Sequence, residues 1–399
     1  MSEHAQLVGA PADLSRCPIM PNFGAPKVMF VRGAGTELWD REGRRYLDFL
    51  GGLAVVALGH ANPEVAEALA TQAATLLHVS SLFATEHAWH VALEIDRLIG
   101  DGAPAGGQVF FCNSGAEANE AAIKLARKWA GHGRFGVVTT YGSFHGRTLA
   151  TLAATGQPTK HEPFAPMPEG FRHVALNDIE ALEASIDDSV AAILLETIQG
   201  EGGVNPCTPA FLEAARRLCD ERNMLLMVDE VQTGLGRTGR WFGFHHYGIK
   251  PDVVCLAKAL GNGVPIGALW ARADVSAAFQ PGDHGSTYSG QPLATAAARK
   301  VLEIMQRDSL AARSAERGQY LREKLEKLDG VSSVRGAGLI VAAELSSRSG
   351  PEVAAACLER GLVVNGITPT AIRLTPPLTV SEAEIDEAVE LLHRVLGDP

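Results

Sequence analysis

The sequence predicts an α/β protein, with a large domain built on a mostly parallel sheet flanked by helices and a smaller α+β domain. Three observations carry this expectation. Short apolar runs ("QVFFCN", "GVVTT", "VAAILLE", "LLMVDE", "DVVCLAK") alternate with segments of helical periodicity, and strand–helix alternation builds parallel sheets through right-handed crossovers. These runs lack the apolar–polar alternation of a half-solvated strand, so both faces of the sheet are covered. After "GQPLATAAARKVLEIMQ" the texture changes to charged helices through Lys327 and then to short mixed segments.

From the N-terminus, "VMFVRGAGTELWDREGRRYLDFL" reads as a small antiparallel hairpin, and residues 1–50 as a segment that packs with the smaller domain. Residues 51–295 form the large domain. Within it, "QVFFCN" feeds an Ala-rich helix with the stripe Ala122, Leu125, Ala126 and Trp129. "PAFLEAARRLCDERN" carries a second stripe, Leu212, Ala215, Leu218 and Cys219, and Thr208 before Pro209 marks its start. Residues 296–399 form the smaller domain. Its extended segments are "SVRGAGLIVAAEL", "LVVNG" and "AIRLTPPL", and the capping box from Ser381 to Glu384 opens its last helix.

At 399 residues and 46% hydrophobic content, the chain can bury a large core. A net charge of −11 without a run of five basic residues argues against nucleic acid or an anionic membrane as partner. The opening "MSEHAQLVGAPADLSRCPIM" has no charged region followed by an apolar core, and no apolar stretch approaches bilayer-spanning length, so a cytoplasmic protein is expected. The six cysteines (17, 112, 207, 219, 255 and 357) show no CxxC spacing, and no HExxH completes a metal site among the histidines. No metal is expected, and the histidines read as structural.

"GHGRFG", Gly131 to Gly136, matches GxGxxG but follows a helix and precedes a strand. A dinucleotide site needs the reverse order, because the pyrophosphate sits on the N-terminus of the next helix. "FFCNSGAEANEAAIKLARKWA" has that order: a buried strand, a small-residue turn, then a helix opened by Ser114, Gly115 and Ala116. Unpaired N–H groups there can bind a phosphate, with Ser114 as a further donor, although a plain N-cap also accounts for Ser114. "LLMVDEVQTGLGRTGRWFG" ends a buried strand in Asp229 and Glu230. The carboxyl edge of an α/β sheet is where ligands bind, whereas an isolated acidic pair is more often a turn cap beside a solvated side chain. "DVVCLAKALGNGVPIGA" puts Lys258 at the same edge, where desolvation depresses an amine and makes it nucleophilic. A lone strand-end lysine usually snorkels to water. Together, a phosphate site, a nucleophilic lysine and a carboxylate meet the needs of pyridoxal 5'-phosphate for an imine-forming amine, a partner for its pyridine nitrogen and N–H groups for its phosphate. Gln232 stands three residues beyond Asp229, within reach of the ring's 3-hydroxyl.

At this point the chain resembles the class III aminotransferases of pyridoxal-phosphate fold type I. The likeness runs from "YLDFLGGLAVVALGH" through "FFCNSGAEANEAAIKLARKW", "FHGRTLATLAATGQ", "IQGEGGV", "VDEVQTGLGRTG", "LAKALGNGVPIGA" and "HGSTYSGQPLA" to "LVVNGITPTAIRLTPPL". The resemblance implies Lys258 as the Schiff-base lysine, Asp229 on the pyridine nitrogen, Gln232 on the 3-hydroxyl, Gly115 and Ala116 on the phosphate and Phe144 stacked on the ring. It also implies a homodimer with shared active sites, in which Thr287 reaches the phosphate of the other subunit's cofactor and Ser286 lies near the substrate.

By the same resemblance Arg147 and Arg373 are carboxylate clamps, a role suited to the guanidinium fork. Glu201 resembles the residue that neutralises the second clamp when a substrate lacking that carboxylate is bound, since a buried unpaired guanidinium is costly. The implied reaction moves the terminal amino group of N2-acetylornithine to 2-oxoglutarate. Val56 in place of a polar residue, "ETIQG" and "STYSGQP" depart from the usual pattern. Val56 can line the substrate mouth, and another acyl group, ornithine, 4-aminobutyrate, carrier-linked lysine or another ω-amine stays open as donor. From a different class, a non-catalytic cofactor-binding regulator is opposed by the intact set Lys258, Asp229, Arg147 and Arg373.

Overall fold

A computed structural model describes residues 19–397 together with Leu14 and Cys17. The earlier part of the N-terminal segment, otherwise, lies outside the described residues. The central sheet has seven strands in the spatial order Gly107–Cys112, Gly267–Arg272, Val253–Leu256, Leu225–Asp229, Val190–Leu195, Gly136–Thr140 and Phe171–Val174. Leu225–Asp229 runs parallel to both its neighbours, as Gly136–Thr140 does to its own. Gly267–Arg272 is antiparallel to the strand on either side, so six strands share one direction.

Both sheet faces are covered, which is why these strands read as continuous apolar runs. Leu225 and Met227 pack on one side with Ala118, Ala121, Ala122 and Ala126 of the helix Gly115–Ala130, while Leu226 and Val228 face the larger core on the other. The alanines bring that helix close to the sheet. The helix Pro209–Glu221 starts as its sequence dictates: Thr208 Oγ1 accepts the Phe211 N–H and Pro209 stands at the first helical position. Its buried stripe includes Leu212, Ala215, Leu218 and Cys219. Truncating a fully buried leucine such as Leu226 to Ala costs about 2–5 kcal/mol, through lost transfer energy and the cavity left behind.

Two four-stranded sheets and the two-stranded pair Ile198–Gln199 with Asn205–Pro206 accompany the central sheet. Phe30–Ala34, Glu37–Asp40 and Arg45–Asp48 form an antiparallel meander, to which the short Leu362–Val363 adds in parallel beside Arg45–Asp48. Val331–Ala337, Ile340–Leu345, Ala371–Leu374 and Asn365–Thr368 form a four-stranded antiparallel sheet. The helix Pro292–Arg307 runs across the 295/296 border read from the sequence and packs on the helices Pro63–Thr75 and Glu86–Ile99. The last helix begins with the capping box: Ser381 Oγ accepts the Glu384 N–H, while Glu384 accepts the Ser381 N–H. Residues 131–135 connect a helix to a strand. Among the described residues no helix is long and apolar enough to cross a membrane, and no cluster of side chains could hold a metal.

Candidate active site

A cavity of about 370 Å³ opens at the carboxyl ends of the parallel strands, the edge where α/β sheets bind ligands. Each wall comes from the segment that leaves one strand. Asn113, Ser114, Gly115 and Ala116 follow Gly107–Cys112; Phe144 to Arg147 follow Gly136–Thr140; Glu196 and Glu201 follow Val190–Leu195. Asp229, Val231 and Gln232 follow Leu225–Asp229, and Lys258 follows Val253–Leu256. Topology alone thus gathers residues far apart in the chain.

Ser114 is the N-cap of the helix Gly115–Ala130, its Oγ accepting the Glu117 N–H at 3.2 Å. The N–H groups of Gly115 and Ala116 have no partner among the described residues and point the helix's positive end into the cavity. Packing requires Gly115, since a Cβ there would lie 2.8 Å from the Val231 methyl carbons.

Lys258 begins a 3-10 turn in a left-handed backbone conformation, φ 42°, a strained state of the kind that clusters at functional sites. Its amine has no hydrogen bond or ion pair among the described residues. Burial lowers its pKa to about 8, with the Arg373 charge acting in the same direction and Glu201, Asp229 and Glu196 opposing. Asp229 is buried: Oδ1 accepts the Val231 N–H at 3.0 Å, and Oδ2 meets Asn119 Nδ2 at 2.8 Å and His145 Nδ1 at 2.9 Å, which leaves one acceptor position on Oδ1. Asn119 Oδ1 and His145 Nε2 are buried without partners.

Glu230 answers differently from its neighbour. Far from being solvated, it is buried and accepts from Gly243 N, Phe244 N and the Thr233 hydroxyl, and burial pushes its pKa up to about 7. Two carboxylates end this strand because one faces the cavity and the other fastens the following glycine-rich turn.

Arg373 is fully buried behind the cavity wall. Its Nη1 donates to Glu201 Oε1 at 2.7 Å, to the Gly200 carbonyl at 2.9 Å and to Gln232 Oε1 at 3.0 Å. Gln232 Nε2 in turn donates to Glu201 Oε1 at 3.2 Å, so the Gln232 amide is committed to this pair. Burial works to raise the Glu201 pKa, but the charges of Arg373 and Lys258 prevail and lower it. Arg147 is exposed at the mouth, 5.6 Å from the Phe144 ring centroid, and the Lys160 amine lies 5.4 Å from the same ring. Ser286 reaches the cavity through Asn113, whose Nδ2 donates to its Oγ at 3.1 Å. Thr287 is exposed and not among the cavity's lining residues. Val55 lines the cavity, and Val56 does not.

Asn119, His145 and Glu196 were not read from the sequence. Glu196 carried a usable signal, because it ends an apolar strand just as Asp229 does. Asn119 stands one helical turn after Gly115, among buried alanines, a position where a polar residue needs a reason. His145 offers no such pattern.

The Aminotransferase class-III family pattern matches residues 20–396. The acetylornithine aminotransferase of Caldanaerobacter subterraneus subsp. tengcongensis is 47% identical over 388 residues, covering 95% of this chain and 97% of its own. That of Gloeobacter violaceus is 48% identical over 388 residues, covering 95% and 96%. Among solved structures, the ornithine aminotransferase of Toxoplasma gondii ME49 superposes with a TM-score of 0.89 at 34% identity, covering 96% of this chain and 93% of that one. The chain belongs to the class-III aminotransferases. It has the fold type I architecture, and its family works with pyridoxal phosphate. The cavity fits that cofactor: it offers unpaired helix N–H groups, an unpartnered amine of depressed pKa, and a carboxylate with two orphaned polar atoms beside it.

Proposed function

We propose that this aminotransferase moves the terminal amino group of N2-acetylornithine to 2-oxoglutarate, giving N-acetylglutamate semialdehyde and glutamate, a step of arginine biosynthesis. The observation that carries the donor is the full-length likeness, at 47–48% identity, to the acetylornithine aminotransferases. The Glu201–Arg373 pair supports it from the site, since one pocket must take a substrate with a second carboxylate and one without.

When bound, pyridoxal phosphate supplies a carbonyl that takes up the amino group and a ring that accepts electron density. Gly115 and Ala116 would hold the phosphate by their N–H groups, with the Ser114 hydroxyl beside them, and Phe144 would face the ring. Asp229 would hold the proton on the pyridine nitrogen, and His145 and Asn119 keep its carboxylate in place. Lys258 would hold the cofactor's carbonyl carbon between turnovers, and as a free amine it would act as general base, taking the proton from the substrate's amine-bearing carbon and giving it back two bonds away. Gln232 would meet the 3-hydroxyl only by sharing an amide already bound to Arg373 and Glu201. Arg147, at the mouth, would receive the carboxylate distal to the reacting amine, which is the α-carboxylate of N2-acetylornithine or the side-chain carboxylate of glutamate. Arg373 would receive the α-carboxylate of glutamate or 2-oxoglutarate, the one next to the reacting carbon, when Glu201 swings aside.

The working unit is a homodimer, in the cytoplasm, in which Thr287 of one copy completes the phosphate site of the other while Ser286 lies near the substrate. Leu76, Leu77, Leu82, Phe83 and Tyr288 are exposed, and an apolar set of this kind is what a second copy would cover. Sedimentation of the purified protein checks this; a monomer active at all dilutions would refute it.

The donor is tested by a panel of N-acetylornithine, N-succinylornithine, ornithine and 4-aminobutyrate against 2-oxoglutarate. N-acetylornithine is expected to give the highest kcat/KM. Ornithine is the second reading, favoured by the Toxoplasma structure, and a higher value for it would replace the first.

A further inference from the structure

Glu196 ends the strand Val190–Leu195, is buried, lines the cavity, and has no part in the chemistry above. Its two oxygens are divided between opposite walls. Oε1 accepts the Phe144 N–H at 2.8 Å, and Oε2 accepts the Gly200 N–H at 3.0 Å. Phe144 belongs to the segment that also carries His145 and Arg147. Gly200 precedes Glu201, and its carbonyl accepts from Arg373. Gly200 has no room to shift towards Gln232, because a Cβ on it would lie 1.8 Å from Gln232 Oε1. One carboxylate therefore spans from the aromatic wall to the Glu201–Arg373 wall.

Such a placement is costly. Burial opposes the charge of Glu196, the Asp229 charge adds to that opposition, and the two N–H donors and His145 offset it. A neutral side chain would close the strand end at less expense but could not accept from both donors at full strength. A second tie between the same two segments exists outside the cavity, where Gln199 Nε2 donates to Thr140 Oγ1 at 2.9 Å and to the Tyr141 carbonyl at 2.8 Å. The segments are thus already joined, and Glu196 sets the distance between their cavity-facing ends.

We propose that Glu196 is a positioning residue that fixes, with one carboxylate, both the Phe144 surface against which the cofactor ring packs and the loop that carries the Glu201 switch. The inference rests on the roles given above to Phe144 and Glu201. It predicts that one substitution disturbs two properties that otherwise have no reason to change together, cofactor affinity and discrimination between donors.

The test uses the full-length holoenzyme and the variants Glu196→Gln, Glu196→Ala and, as a control outside the cavity, Gln199→Ala. Glutamine keeps the shape but turns an N–H towards one of the two donors, so one tie fails; alanine removes both. Amide hydrogen exchange in the peptides containing Phe144 and Gly200 is expected to quicken by about tenfold or more at one site in the Gln variant and at both in the Ala variant, the factor that loss of a charge-assisted hydrogen bond carries. The dissociation constant for pyridoxal phosphate, read by fluorescence, should rise. The ratio of half-reaction rates for N-acetylornithine over glutamate should fall. Gln199→Ala should lower the melting temperature while leaving that ratio unchanged. Unchanged exchange at both amides overturns the proposal outright. So does a Glu196 variant that loses only thermal stability while cofactor affinity and donor ratio hold, or a Gln199 variant that shifts the donor ratio equally. A wild-type protein without donor discrimination would instead defeat the functional reading, and the exchange measurement would still judge the staple.

Discussion

At the scale of single residues, Lys258 carries the sharpest expectation, because its charge is opposed by burial and by Arg373. Its folded pKa of about 8 lies below the ordinary 10.5. The cofactor-free folded protein therefore sheds this proton before the unfolded chain does, and its stability should rise with pH between those values as the cost of the buried charge disappears. Capture of pyridoxal phosphate by the amine should likewise rise to a plateau above about pH 8. Glu201→Ala removes a charge that holds the amine up, so the midpoint of that capture curve should move lower; an upward or absent shift sinks the assignment. Borohydride reduction of the holoenzyme with peptide mapping should mark Lys258 and no other lysine. Asp229→Asn keeps the shape but not the charge, and leaves an N–H facing Val231, Asn119 or His145. Single-turnover rates should drop by roughly 10²-fold or more, the scale of losing a preorganised charge at the reacting group; a near wild-type rate would remove Asp229 from the mechanism. Lys258 and Asp229 were legible in the sequence because each ends an apolar run, whereas His145 and Asn119 act on Asp229 from other segments and become visible only once the sheet assembles them.

At the scale of elements, the buried parallel strands were legible because two-sided burial leaves a continuous apolar run. Gly267–Arg272 was not, since its small residues follow a glycine-rich turn and its antiparallel course breaks the strand–helix rhythm. The edge strand Phe171–Val174 also escaped notice, being short and mixed, with only Val174 buried. Helix starts were clear wherever a side chain caps them, as at Thr208 and Ser381. Glu230 shows what periodicity cannot say: a carboxylate next to a site residue holds up the turn from 230 to 244 through three hydrogen bonds. Glu230→Ala should strand those donors and lower stability by roughly 3 kcal/mol, about 1 kcal/mol or more for each. The ratio of donor rates in the surviving folded protein should stay at the wild-type value. Chemical denaturation beside half-reaction kinetics checks both parts, and a changed donor ratio would move Glu230 into the site.

At the scale of the whole molecule, the central sheet and the C-terminal antiparallel sheet meet at two buried arginines. Arg237, in the turn after Leu225–Asp229, donates to the carbonyls of Leu339 and Pro376 at 2.9 and 2.5 Å. Arg373, on the strand Ala371–Leu374, reaches back to Gly200, Glu201 and Gln232. The cavity wall is therefore braced from across the junction, by a residue more than a hundred positions beyond Lys258. Glu201 neutralises Arg373 in the arrangement seen here, the state suited to a donor without a second carboxylate. Arg373→Ala should cripple the half-reaction with glutamate or 2-oxoglutarate by about 2–5 kcal/mol, the range for truncating one partner of a buried charge pair, and should affect the N-acetylornithine half-reaction less. Glu201→Ala should act in the opposite sense. It leaves the guanidinium in place with only neutral partners, Gly200, Gln232 and Asn365, and a carboxylate-bearing substrate can supply the missing charge. Preference for N-acetylornithine over glutamate should then fall even where the total rate also falls. Stopped-flow half-reactions on both variants, with each substrate alone, separate the two effects. Parallel losses for both substrates in both variants would reduce the pair to a structural clamp between the sheets, a role Arg237 already fills without any carboxylate.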